Sequence, residues 1–141
     1  MDRSQIEAHK RELEHTRGVL GQNHPRVAEL LSMIGLYHQH MEHNLEAALT
    51  HFEQALAVLY TQPEGICEVE IAVALTDIGN VYRSMNVNDE AVAKYRQALA
   101  IFEEKGTSAN HPSIGAIHRG LDLLKALPSR KTESHHDGSE T

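Results

Sequence analysis

IGNVYRSMNVNDEAVAKYRQALAIF, Ile78 to Phe102, reads as a second copy of IGLYHQHMEHNLEAALTHFEQALAVL, Ile34 to Leu59. Gly35 pairs with Gly79 at an offset of 44, and Ala48, Phe52, Ala55 and Leu56 pair with Ala91, Tyr95, Ala98 and Leu99 at an offset of 43. The one-residue change falls between these sets, where a turn absorbs it. A fixed period of this length marks a helical repeat array, in which each unit buries its apolar face only by stacking on the next. Glycine inside a helix costs about 1 kcal/mol relative to alanine, so Gly35 and Gly79 imply close approach by a neighbour. The expected neighbours are Ala48 and Ala91, with Ala55 and Ala98 as second small residues on the same helices. Leu31, Ile34, Phe52 and Leu56 fill one copy; Leu75, Ile78, Tyr82, Tyr95 and Leu99 fill the other. Small residues facing large ones predict antiparallel helix pairs joined by short turns.

Outward from this core, the punctuation predicts six helices, at about residues 3–20, 25–41, 45–60, 67–85, 88–105 and 112–127. Pro25 and Pro112 sit at first helical positions, where the missing N–H loses no bond. Asn44 is expected to cap the third helix, and Asn88 the fifth, with Asp89 and Glu90 favourable to its dipole. Lys105-Gly106 is a stop signal. Ile114, Ile117, Leu121 and Leu124 give the last helix its apolar stripe, although Asp122 stands where the repeat would place its glycine. SRKTESHHDGSET, 129–141, has no apolar residue to offset its ordering entropy and is expected to be a disordered tail.

The order Leu75, Ile78, Gly79, Tyr82, Ala91, Tyr95, Ala98 resembles the tetratricopeptide repeat (TPR) signature; the first copy matches less well, with His38 at the aromatic position. LGQNHPRVAELL, Leu20 to Leu31, is similar to the linker of kinesin light chain-type repeats, and Asn110-His111-Pro112 repeats Asn23-His24-Pro25 at an offset of 87. The resemblance covers roughly residues 12 to 125. It implies an all-α TPR helical-hairpin array over residues 1–128, a right-handed α-solenoid of two full repeats between an N-terminal half-repeat helix and a C-terminal capping helix. A polar outer face on the first helix is what an array end needs. The His-Pro pairs are then structural, each imidazole fixing its linker.

At 141 residues the chain is one domain, and 40% hydrophobic residues with only 4% aromatic fit thin helix-on-helix packing. No apolar run approaches the ~20 residues of a membrane span. MDRSQIEAHKRELEH is too charged for a signal peptide, and the single Cys67 has no internal disulfide partner. A cytoplasmic location and an inert, partly buried Cys67 are expected. A net charge of −7 without a basic stripe argues against nucleic acid.

No nucleophile–base–orienter set, glycine-rich phosphate loop or HExxH pattern occurs, so no enzyme, cofactor or metal is expected. His38 and His40, two apart, diverge on a helix; His40 and His43 are better placed to converge. The remaining candidate surface is the concave face that the first helix of each TPR pair lines. Position by position, the resemblance places Glu29, Ser32, Leu36, Gln39 and His40 there in one copy and Val73, Thr76, Asn80, Arg83 and Ser84 in the other. Asn80 matches a position where such repeats place an asparagine that grips a peptide backbone, donating and accepting at once. Arg83, one turn on, suits a carboxylate. The paired asparagines of kinesin light chain grooves are replaced by Ser32-Met33 and Thr76-Asp77. The expected function is therefore a non-catalytic adaptor holding a peptide or helix of a partner protein. The alternative is a structural subunit that forms a homodimer or joins a larger assembly through an array end or the convex face.

Overall fold

A computed structural model describes residues 2–125. Six helices follow one another: α1 Arg3–Leu20, α2 Pro25–His40, α3 Leu45–Tyr60, α4 Glu68–Ser84, α5 Asn88–Glu104 and α6 Pro112–Lys125. No strand occurs among the described residues. Residues 126–141, including the tail expected to be disordered, lie outside them.

Local chemistry sets the helix starts. Asp2 and Gln5 form a reciprocal capping box on α1, with bonds of 2.8 and 2.9 Å. Asn44 Oδ1 accepts from Ala47 N at 3.1 Å on α3. His24 and His111 are themselves the caps of α2 and α6: each Nδ1 accepts the backbone N–H two residues on, from Arg26 and Ser113, at 3.1 Å. An unprotonated imidazole nitrogen thus does what a serine or aspartate oxygen does at other helix starts, and His111 also packs its ring on Phe102, with centroids 5.0 Å apart. The fifth helix departs from expectation. Asn88 is its first helical residue and not its cap; Val87 occupies the cap without a side-chain bond, and Asn88 Oδ1 is buried with no partner. At the far end Gly106 takes the positive φ that terminates α5. The two hairpin turns are closed by His43 and Asn86, both at positive φ and 43 residues apart in sequence.

The pairs α2/α3 and α4/α5 run antiparallel. Within the first, Gln62 Nε2 donates to Asn23 O at 2.6 Å near one end, while Gly35 meets Phe52 further along. The glycines answer to aromatic rings, contrary to the expected alanines. A Cβ on Gly35 would lie 2.8 Å from the Phe52 ring, and one on Gly79 would lie 2.7 Å from the Tyr95 ring. Ala48 and Ala91 are fully buried but serve as packing floor. α6 also supplies a close-approach glycine, two residues before Asp122: Gly120 lies against the hydroxyl end of the Tyr95 phenol, where a Cβ would be 2.7 Å from its hydroxyl. Tyr95 is therefore clasped between α4 and α6 and is completely buried.

The core runs continuously from α1 to α6. α1 contributes Ile6 and Leu13; Leu30, Leu31, Leu75, Tyr95, Phe102 and Ile117 carry it onward, while Phe52, Ile78 and Val81 form an adjoining cluster. Arg26 ties α2 to α1 through Glu12, at 2.7 Å, and pairs with Glu29 at 2.6 Å. Cys67 is buried in the core, where loss of water pushes its thiol pKa up, consistent with a packing role.

Candidate functional site

α2 and α4 face one groove, made of two hollows of about 420 and 450 Å³ that share Leu36 and Asp77. The first is mainly apolar: Ala28, Met33, Leu59, Val69, Val73 and Ala74 form its walls, with Glu29, Ser32 and Glu70 at its polar margin. The second is polar, walled by Gln39, His40, His43, Asn80, Arg83 and Ser84. Every residue expected on the concave face thus lines the groove except Thr76. That residue is 2% exposed, and its hydroxyl donates to Ala72 O at 2.8 Å. It is a core residue because α4 turns it toward its neighbours, and a bound chain has no access to it.

Asn80 and Arg83 do not stand free in the groove. The Tyr95 hydroxyl accepts from Arg83 Nε at 3.1 Å and donates to Asn80 Oδ1 at 2.6 Å. A hydroxyl has one proton, so accepting from the arginine commits that proton to the asparagine carbonyl. The arrangement leaves the Asn80 amide nitrogen and the two terminal guanidinium nitrogens of Arg83 for a ligand. It also restrains both side chains before any ligand arrives, which reduces the ordering cost of binding. This three-residue network joins α4 to α5 and was not visible in the repeat alignment, where Tyr95 reads only as a large core residue.

Asp77 lies at the junction of the two hollows. It has neither a hydrogen bond nor an ion pair among the described residues. Burial alone raises its pKa, to about 7. The sequence offered one signal for it, an aspartate where the resemblance leads one to expect asparagine, but its burial is a property of the packed helices.

The histidines separate. His38 pairs with Glu42 at 2.5 Å and stacks on His51 of α3 with ring centroids 5.0 Å apart. Burial lowers the pKa of His51. His40 and His43 line the polar hollow. Among the described residues, no three His, Cys, Asp or Glu side chains gather as a metal-binding group. Among them too, no helix is long and apolar enough to cross a membrane.

No family model matches the chain. Over 130 residues, 92% of its length, the chain is 29% identical to Protein KINESIN LIGHT CHAIN-RELATED 3 of Arabidopsis thaliana, of which it covers 19%. Its fold is similar to the crystal structure of BtubC (BKLC) from P. vanneervenii, with a TM-score of 0.63 and 24% sequence identity, over 74% of this chain and 41% of that one. The repeats are thus similar to those of kinesin light chain-like TPR proteins, and they build an all-α helical solenoid. The chain spans less than half the length of either relative. Solenoids of this kind present extended concave surfaces, and in general they act as protein-interaction modules.

Proposed function

We propose that the chain is a non-catalytic adaptor of the cytoplasm that holds a peptide or helix of a partner protein in the groove between α2 and α4. The observation that carries this reading is the Tyr95 hydroxyl holding Asn80 and Arg83 in the polar hollow beside an apolar one. An extended chain needs apolar burial for affinity and amide-like groups for its backbone, and the two hollows supply one each. Two repeats offer a short groove, so an isolated peptide should bind at about micromolar affinity, roughly −8 kcal/mol.

Capture from native lysate tests it, using the intact chain beside a Leu36→Glu variant. Leu36 is 37% exposed and borders both hollows, so a charge there blocks the groove without entering the core. Partners lost from the variant support the groove. Partners retained by both proteins refute it and favour the second reading, assembly through array ends. That reading draws on Val19 and Leu20, which are 66% and 53% exposed at the end of α1. Light scattering at high micromolar concentration checks self-association directly.

A further inference from the structure

Resting on that reading, the geometry points to a specific ligand chemistry: a partner segment that sets an arginine or lysine beside an apolar side chain, with the cation on Asp77 and the apolar group in the neighbouring hollow. Three observations carry this. Asp77 occupies the junction of the two hollows, so any chain that fills both must cross it. Its carboxylate has no hydrogen-bond or ion-pair partner, although Arg83, His40 and His43 line the same polar hollow. Arg83 makes its side-chain bond through Nε to Tyr95 on α5 and not to Asp77. The apolar hollow is bordered by no lysine or arginine and by two further carboxylates, Glu70 and Glu29, the latter paired with Arg26 at 2.6 Å.

A half-buried carboxylate without a partner pays a desolvation cost, which is why burial pushes Asp77 up to about 7. A ligand cation offsets that cost and gains a charge-assisted hydrogen bond. An acidic segment would instead meet a like charge at the point it has to cross. The net charge of −7 attracts basic segments at longer range. Leu59, Met33, Val69 and Val73 define the adjoining apolar seat.

The test is selection of a displayed library of random twelve-residue peptides on the intact chain, on Asp77→Asn and on Leu36→Glu. Asparagine keeps the shape of aspartate and removes its charge, and thermal melts establish that each variant is folded. The expected result is enrichment of Lys or Arg next to an apolar residue on the intact chain. Leu36→Glu should lose the peptides altogether, and Asp77→Asn should lose the basic preference only. The best peptide should bind at least tenfold more weakly to Asp77→Asn, as should its Arg→Gln or Lys→Gln analogue to the intact chain. Combining both changes should cost no more than either alone. Peptides that need Leu36 but show no basic preference, or that bind Asp77→Asn equally well, overturn the cation assignment and leave groove binding standing. Enrichment indifferent to Leu36→Glu, or no enrichment at all, overturns both.

Discussion

The Tyr95–Asn80 hydrogen bond makes a demanding test of the site, because it belongs to the core and to the groove at once. Tyr95 is fully buried, and its hydroxyl donates to Asn80 Oδ1 at 2.6 Å and accepts from Arg83 at 3.1 Å. Asn80→Ala strands a buried donor, which costs about 1–3 kcal/mol. Tyr95→Phe deletes the donor and leaves the Asn80 carbonyl at the groove wall, where water reaches it, so the cost should stay near 0.5–1.5 kcal/mol. In the double variant no tyrosine hydroxyl is stranded, and the acceptor that Arg83 Nε loses is lost equally in Tyr95→Phe alone. Its destabilisation should fall short of the sum of the singles by about 1 kcal/mol, well outside the ~0.3–0.5 kcal/mol scatter of independent sites. Urea unfolding of the four proteins, with matched slopes, measures the cycle. Strict additivity would refute the network and, with it, the claim that Asn80 and Arg83 are pre-positioned. The same four proteins carry a binding corollary. Tyr95→Phe, nearly as stable as the parent, should bind a groove peptide more weakly, because two groove residues lose their tether.

Three further outcomes follow from the structure. Gly79→Ala should destabilise by about 2–3 kcal/mol despite the better helix propensity of alanine, since its Cβ would sit 2.7 Å from the Tyr95 ring. Gly18→Ala, with nothing within 4 Å, should stabilise by about 0.5–1 kcal/mol; thermal melts of the pair that moved in the same direction would contradict the packing. For Asp77, the folded pKa of about 7 lies above the ordinary 3.8. Between those values the unfolded chain ionises and the fold does not, so this group's contribution declines as pH rises from about 4 to about 7 and is flat beyond. Asp77→Asn should therefore gain stability over the parent with rising pH, reaching about 1–2 kcal/mol above pH 7 after discounting the full linkage for water in the open groove. Glu29, Glu70, Arg83, His40 and His43 are common to both proteins, so the difference curve from urea melts isolates Asp77; a difference independent of pH counts against it. Finally, His24→Ala and His111→Ala should each cost about 1 kcal/mol as lost helix caps, the second somewhat more because the ring also covers Phe102. Equal stability to the parent in denaturant would remove the capping role.

How far the sequence reached depends on the range of the interaction concerned. Helix order, the hairpin period, the Asn44 cap, the prolines at α2 and α6 and the Gly106 stop are set by residues within a turn or two of one another, and local steric and hydrogen-bonding rules suffice for them. The concave face was legible through the repeat resemblance: carried over position by position, it put Glu29, Ser32, Leu36, Gln39, His40, Val73, Asn80, Arg83 and Ser84 on one side, and these residues line the groove. Thr76 failed because a strip of a helix surface has an edge, and which edge residue is covered depends on how closely the neighbouring helix approaches. Asn88 failed because the turn at Asn86 delivers the chain into α5 one residue earlier than an asparagine cap allows. The decisive properties needed three helices at once. Only packing of α4, α5 and α6 shows that Gly79 and Gly120 clasp Tyr95, and that Tyr95 in turn holds Asn80 and Arg83. Likewise, the sequence shows that Asp77 is acidic, but its missing partner and its raised pKa come from its burial at the junction of the two hollows, which only the packed helices create.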